Sequence, residues 1–215
     1  MAETIIVELG TKHFQEANAA VRAALAEADT VCIVEAYAQR YLGCTLPAGK
    51  RLEIHGTPGN DLACYMDGGE VEVFGSAQDQ TANTMNAGTV VVHGRVGDAA
   101  GYAMRGGKIY VRGNAGYRAG IHMKAYREKQ PVLIIGGEAG SFLGEYQAGG
   151  IIIVLGLGSG GRAPVGRFVG TGMHGGRMLL RCDTLPPDLP AQVAARRAGK
   201  DDLAAVEPYL AEYCG

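Results

Sequence analysis

The 215-residue chain carries 20 Lys and Arg against 22 Asp and Glu, for a net charge of −2, and 47% of its residues are hydrophobic. This balance gives no reason to expect a nucleic acid or an anionic membrane as partner, and it provides enough apolar surface for one domain with appendages. Glycine is the outlier, because 34 of the 215 residues are glycine, about twice the ordinary share of ~7%. The backbone therefore turns often, at fixed places.

The cysteines and the N-terminal sequence indicate a compartment. The chain has five cysteines, an odd number without CxxC spacing, which argues against a disulfide framework and against a zinc or iron–sulfur site. The N-terminal sequence MAETIIVELG contains acidic residues and lacks the long apolar core of a signal peptide. No apolar run in the chain has the length of a membrane span. We expect a cytoplasmic protein with reduced thiols.

The first part of the chain is typical of a strand, a helix and a second strand. TIIVEL and TVCIVEA are the strand-like runs, and a helix is predicted over about residues 12–28, with Phe14, Val21, Leu25 and Ala28 on one face. We assign residues 1–42 to this N-terminal segment.

A repeat fills the middle of the chain. A glycine follows each of four short apolar strands at intervals of 19 residues, and a methionine stands ten residues after each glycine. The glycines are Gly56, Gly75, Gly94 and Gly113, and the methionines are Met66, Met85, Met104 and Met123. Two longer units, with strands ending at Gly136 and Gly156, extend the repeat to residue 176, and Gln147 replaces methionine in the fifth unit.

A repeat this short has no room for a helix and is typical of a coil whose turns stack. The sequence therefore predicts an all-β protein, a single-stranded right-handed β-helix of about six to seven turns over residues 43–183. Positions two apart face the same side of a strand, which predicts two inward columns. They are Leu52, Val71, Val90, Ile109, Val132, Ile152 and Ile54, Val73, Val92, Val111, Ile134, Val154.

The outward positions become apolar toward the last turns, so we expect the N-terminal helix, the tail or a partner to cover that face. After Cys182, the sequence TLPPDLP is typical of a stiff linker. Residues 184–215 are assigned to this linker and to a tail of one or two short helices.

A nucleotide site is the functional alternative for the glycines. GLGSGG at residues 156–161 satisfies GxGxxG after a strand, but RAPVGRF follows, with Pro164 and Gly166 opposing the helix that such a site requires. The pattern favours a surface loop.

The polar residues give little sign of catalysis. His55 and His93 lie two turns apart and cannot share a metal, while His122 and His174 adjoin the methionine column and are expected to pack or to bind backbone carbonyls. Asn60, Asp79 and Asp98 are predicted to stack in adjacent turns. Such a ladder binds calcium and sugar in some polysaccharide lyases, although Asp and Asn are also ordinary turn formers, which is the favoured interpretation. No catalytic, cofactor-binding or metal-binding residue is assigned.

Several motifs in fixed order resemble one family. They are GTPGNDLACYM, GRVGDAAGYAMRGGKIYVRG, GYRAGIHMK, FLGEYQAGG and VGTGMHGG. Together they are similar to the GXGXG domain, the β-helical C-terminal domain of the large subunit of glutamate synthase, across residues 43–181. The chain as a whole is similar to the separate GXGXG subunit of archaeal-type glutamate synthase and N-methylglutamate synthase.

The resemblance implies a structural subunit without a catalytic residue or cofactor of its own. Its partners would be an amidotransferase-like subunit and a synthase subunit that carries FMN and iron–sulfur clusters. Arg118, His122, Lys124 and His174, from GYRAGIHMK and MHGG, are the candidates for contact with partners. Two other assignments stay open: a component like the related β-helical subunit of formylmethanofuran dehydrogenase, and an independent carbohydrate-binding or lyase β-helix.

Overall fold

A computed structural model describes residues 4–215 as one nine-stranded sheet whose neighbouring strands are parallel and follow chain order. The strands are β1 (Thr4–Glu8), β2 (Thr30–Tyr37), β3 (Arg51–Thr57), β4 (Asp67–Phe74), β5 (Ala87–Val92), β6 (Lys108–Val111), β7 (Val132–Ile135), β8 (Ala148–Val154) and β9 (Gly175–Leu180). The helices are α1 (Phe14–Glu27), α2 (Lys200–Ala204) and α3 (Glu207–Cys214). From β2 to β9, each strand belongs to one turn of a coil, as the repeat predicts for β3 to β8.

The N-terminal strand–helix–strand segment begins the same sheet. β1 pairs in parallel with β2, and β2 pairs in parallel with β3. The amphipathic α1 connects β1 to β2 and buries Ala17, Val21 and Ala24. The Nδ1 atom of His13 accepts a hydrogen bond from the backbone N–H of Gln15 at 3.5 Å, next to the start of the helix. The apolar face of α1 thus packs on the first coils of the core.

The inward columns form the core of the coil. Leu52, Val71, Val90 and Ile109 stand in register across β3 to β6 and are at most 1% exposed. The alternation of period two along each strand explains this burial, because every second side chain enters the coil. The prediction for these four units is confirmed.

The prediction for the fifth unit is wrong by one residue. Leu133 and Ile135 pair with Ile109 and Val111 and belong to the main core, whereas Val132 and Ile134 face outward in a second apolar cluster. The partner of Gly113 in the next turn is Gly137, whose N–H donates to the carbonyl of Gly113 at 3.0 Å. The paired glycines Gly136 and Gly137 offered two alignments, and VLII contains no polar residue to choose between them.

The methionine column lines the interior. Met66, Met85, Met104 and Met123 are 0% exposed. Gln147, which continues the column, is also 0% exposed, and its Nε2 donates to the carbonyls of Gly149 and Gly150 at 3.1 and 3.2 Å. The amide thus bonds to the backbone where the neighbouring turns use a thioether.

The C-terminal tail covers the apolar outer face of the later turns. Val206 is 1% exposed and belongs to a cluster with outward residues of β6, β7 and β8, and three residues of α3 pack on this cluster. The members from the sheet are Tyr110, Val132, Ile134, Ile151 and Ile153, and those from α3 are Tyr209, Leu210 and Tyr213. The expectation that this face is covered is confirmed, with the tail as its cover.

A polar contact accompanies this packing. Lys108 of β6 pairs with Glu212 of α3 at 2.6 Å. Burial beneath the tail, together with the Glu212 carboxylate, raises the pKa of Tyr110.

Within residues 4–215, no helix combines the length and the apolar character that a membrane crossing requires.

We predict that Val92→Asp abolishes soluble expression, because it places an unpaired charge at a position with 0% exposure. Thr89→Asp in the same strand is the matched control, since Thr89 is half-buried and stands in register with Lys108, which has the opposite charge. The control should remain soluble, as judged by the soluble fraction and by circular dichroism. A folded Val92→Asp protein would contradict the inward assignment.

Val206→Asp should release the tail from the sheet, because the charge would enter the apolar cluster beneath α3. Limited trypsin digestion would then cut faster at Arg196, Arg197 and Lys200. Ala205→Asp, one residue away at an exposed position, should be digested at the wild-type rate. Equal digestion of both variants would show that Val206 does not hold the tail.

Candidate partner-binding surface

Each turn of the coil contains a corner in which every second residue has a positive φ. Between β6 and β7 these residues are Arg118 (φ 57°), Gly120 (φ 70°) and His122 (φ 55°). The middle residue is buried and the two outer residues are exposed. The N–H groups of Arg118 and His122 donate to the carbonyls of Ser141 and Glu145 in the next turn, at 3.0 and 2.9 Å. These hydrogen bonds between turns stabilise a backbone conformation with positive φ that residues other than glycine rarely adopt.

The middle position of the corner accepts only the smallest residues. A Cβ atom at Gly120 would lie 2.5 Å from the Cδ1 atom of Ile152, and one at Gly144 would collide with Met178. The position is occupied in successive corners by Gly43, Ala63, Ala82, Gly101, Gly120, Gly144 and Gly170. These residues bring the backbone close to the core, so the five glycines among them have a structural role that requires no nucleotide.

At the first outer position, aromatic side chains of successive turns stack in a column, and arginine side chains lie over their rings. The guanidinium of Arg118 lies 4.9 Å from the ring centre of Phe142, which stacks on Phe168 of the following turn at 5.0 Å. Arg167 lies 5.4 Å from the ring centre of Phe168. Arg118 also pairs with the nearly buried Glu145 at 2.8 Å. The arginine is thereby fixed in direction while half of its side chain remains in contact with solvent.

The second outer position forms a parallel column. The rings of His122 and Tyr146 stack at 5.1 Å with an angle of 11° between their planes, and Tyr102 meets His122 edge-on at 5.9 Å. In the following turn the position belongs to Gly172, where a Cβ atom would collide with the Tyr146 ring. Tyr146 therefore lies over bare backbone and is 46% exposed.

The other two predicted contact residues lie at the edge of these columns. Lys124 is exposed directly after Met123, near His122 in the same corner. His174 is exposed between β8 and β9, and its Nδ1 is 3.1 Å from the carbonyl of Gly172. This backbone contact and the stacking of His122 agree with the roles expected for the two histidines.

We name the exposed surface of the last corners the cation–aromatic band, which consists of Arg118, His122, Lys124, Phe142, Tyr146 and Phe168. The sequence analysis found Arg118, His122 and Lys124 and missed Phe142, Tyr146 and Phe168. The chain insertions around residues 125–130 and 157–163 change the spacing from 19 residues, so Phe142 and Phe168 do not align by counting. Alignment on the buried glycines of the corners would have placed them in one column.

The band has the chemistry of a protein interface. Aromatic rings bury large areas with little loss of side-chain freedom, and arginine over an aromatic face adds a cation–π contact. Phe168 is 41% exposed, so apolar surface remains for a partner to cover. His174 lies outside the stacked columns.

The predicted ladder of Asn60, Asp79 and Asp98 is present, but it serves the backbone. The Oδ1 atom of Asn60 accepts from the N–H of Asp79 at 3.2 Å, Asp79 accepts from Asp98 at 2.8 Å, and Asp98 accepts from Tyr117 at 2.8 Å. Each side chain thus fixes the corner of the next turn. The turn-forming interpretation explains the ladder without calcium or sugar.

The other features that could carry chemistry are a groove, a stack of three rings and the GLGSGG segment. An open groove of about 660 Å³ is lined by Asn60, Asp79, Arg95 and Asn114, among others. The Phe74 ring lies between those of His55 and His93, with ring centres 4.7 and 5.2 Å apart. In residues 4–215, no three His, Cys, Asp or Glu side chains are grouped as a metal site would need. The GLGSGG segment is a loop, and no helix follows it before β9.

The fold and its corners define a class, the parallel β-solenoid with glycine-rich corners. A family model described as the GXGXG motif matches residues 15–186, and the chain belongs to this family. The chain is also similar to the uncharacterized protein MJ1350 of Methanocaldococcus jannaschii, with 40% identity over 219 residues that cover 99% of this chain and 84% of the relative.

Substitutions at Asp98 test whether the ladder is structural. Asp98→Asn keeps the acceptor oxygen for the N–H of Tyr117, so its free energy of unfolding should stay within about 0.5 kcal/mol of wild type. Asp98→Ala removes the acceptor and should cost about 1 kcal/mol in urea unfolding. A calcium-dependent rise in melting temperature that Asp98→Asn abolishes would instead favour a cation site.

Proposed function

We propose that this chain is a non-catalytic structural subunit of a glutamate-synthase-type complex. It packs between an amidotransferase-like subunit and a synthase subunit that carries FMN and iron–sulfur clusters, with N-methylglutamate synthase as the favoured branch. The complex acts in the nitrogen metabolism of glutamate and related amines, in the cytoplasm. The observation that carries the proposal is the cation–aromatic band, together with membership of the GXGXG family.

The distribution of apolar surface supports the band as the docking surface. The apolar outer face of β6 to β8 is already buried by the tail. The aromatic columns of the band have no such cover, and Tyr146 and Phe168 are 46% and 41% exposed. A partner that covers them would gain apolar contact area on a surface whose side chains are already stacked in place.

The charges of the band indicate the complementary surface. Arg118 is balanced in part by Glu145, whereas Lys124 forms no ion pair within the described part of the chain. Arg167, beside Phe168, is paired with Asp188 at 2.7 Å. The best partner surface therefore presents acidic groups toward Lys124 and apolar side chains toward Tyr146 and Phe168.

The architecture suits a scaffold. Every turn is bonded to its neighbours through a parallel strand and through the hydrogen bonds of a corner. Outer side chains are held in columns by this backbone, so a partner meets a preformed surface and little ordering free energy is lost on binding. The synthase chemistry would belong to the partner subunits.

Affinity purification from the native cells tests the proposal. Tagged wild-type protein should recover an amidotransferase-like chain and a flavoprotein with iron–sulfur clusters, identified by mass spectrometry. Recovery of a molybdenum or tungsten protein would assign the chain to a formylmethanofuran dehydrogenase complex. Recovery of the chain alone would contradict the subunit role.

The double variant Lys124→Glu and Phe168→Ala should reduce recovery of the partners by about tenfold or more, because two interface residues at about 1 kcal/mol each together exceed the ~1.4 kcal/mol of a tenfold change in affinity. The matched control is Arg95→Glu with Tyr65→Ala, which changes an exposed arginine and an exposed corner tyrosine outside the band. Both proteins should remain folded under the conditions of the purification, as judged by circular dichroism. Equal loss of partners in the two variants would exclude the band as the docking surface.

A further inference from the structure

Two of the five free cysteines occupy the same position in consecutive turns. Cys44 lies in the corner between β2 and β3, and Cys64 in the corner between β3 and β4. The residue after Cys44, Thr45, donates its N–H to the carbonyl of Cys64 at 2.9 Å. The N–H of Ala63, the residue before Cys64, donates to the carbonyl of Leu42 at 2.8 Å. Bonds on both sides therefore fix the two cysteines one above the other.

The spacing of the turns is compatible with the Cα separation of a disulfide. Adjacent backbone segments of a stacked coil are about 4.8 Å apart, within the range of about 4.4–6.8 Å between Cα atoms that a disulfide spans. Cys44 is exposed, whereas Cys64 is 3% exposed. Burial raises the pKa of the Cys64 thiol, and the neighbouring Cys44 thiol adds to this effect. The pair thus consists of one thiol that is accessible to reagents in solution, Cys44, and one that is buried, Cys64.

We propose that Cys44 and Cys64 form a disulfide across the first two corners when the folded protein meets a small disulfide oxidant such as oxidised glutathione. The Sγ atom of Cys44 attacks one sulfur of the oxidant, which releases one glutathione thiol and leaves a mixed disulfide. The Sγ atom of Cys64 then attacks the Sγ atom of Cys44 and releases the second glutathione. The two protein thiols are oxidised, one glutathione disulfide is reduced to two thiols, and the two protons end on these thiols.

The other cysteines lack such a partner. Cys32 is on β2, where its neighbours in register are Ile6 and Glu53. Cys182 follows β9, and Cys214 is exposed at the end of α3. Cys214 is the matched control, because it is as accessible to reagents as Cys44 but has no cysteine in an adjacent turn.

The bond would join the first two turns beside a groove of about 350 Å³ between α1 and the β2–β3 corner, which Cys44 helps to line. The disulfide would link two corners whose relative position is already fixed by backbone hydrogen bonds. We therefore expect oxidation to leave the fold unchanged and to hold the N-terminal end of the coil together. The inference does not depend on the proposed subunit role, because the cation–aromatic band lies in the last corners.

The test is a peptide map of the folded protein after incubation with oxidised glutathione, alkylation of remaining thiols and trypsin digestion without reductant. The expected product is peptide 41–50 joined to peptide 52–95, with the loss of two hydrogen atoms, while Cys214 remains glutathionylated or alkylated. Maleimide labelling of Cys44 in the intact protein should be lost after oxidation. In Cys64→Ala, Cys44 should stop at the mixed disulfide with glutathione.

The wild-type protein alone is sufficient to contradict the proposal, so the test remains valid even if Cys64→Ala does not fold. If Cys44 of the wild type stays glutathionylated and Cys64 is still alkylated after denaturation, the pair does not close. The same conclusion follows if the joined peptides appear only when the oxidation is carried out in urea. If Cys44 joins Cys214 or a second molecule, the assignment of the partner is wrong.

Discussion

The structure depends on the register between consecutive turns. A parallel strand pairs residue for residue with its neighbours, and a shift of one residue would move every inward side chain to the outer face. Leu52, Val71, Val90 and Ile109 stand in one such line at the centre of the coil. The repeat of 19 residues between Gly56 and Gly113 preserves this line with no insertion. Once the register is fixed, the positions of corners and surface columns follow from it.

The corners convert this register into a surface. Their middle residues must be Gly or Ala because the backbone approaches the core there, as Gly120 does beside Ile152. The two flanking residues then face outward in every turn, so side chains far apart in sequence become neighbours. Arg118, Phe142 and Phe168 are one product of this rule, and His122 with Tyr146 is another. The stacking of the corners also brings Cys44 to Cys64 at the other end of the coil, where each cysteine directly follows the middle residue of its corner.

The sequence was sufficient where the repeat was regular and insufficient where it was interrupted. The strands, the methionine column and the helix α1 follow from apolar spacing, which reports burial directly. The inward residues of β7 did not follow, because Gly136 and Gly137 are adjacent and VLII is apolar at every position. The aromatic half of the band was missed for a related reason, since insertions separate Phe142 and Phe168 by more than one regular repeat. That the tail covers Tyr110 and Ile134 could be seen only in the structure. Apolar outward positions predict that some segment or partner buries them, but they do not indicate which one.

The tail changes the argument about partners. An apolar outer face on β6 to β8 would by itself be the strongest sign of an interface, yet Val206 and the residues of α3 occupy it within the same chain. The proposed docking surface is therefore placed at the corners, where Tyr146 and Phe168 remain exposed on a backbone that is bonded to the turns on either side. A surface that is exposed, aromatic and rigid loses little free energy to ordering when a partner covers it. Polar side chains add to this rigidity, because Asp79 and Asp98 each accept a hydrogen bond from the backbone of the next turn.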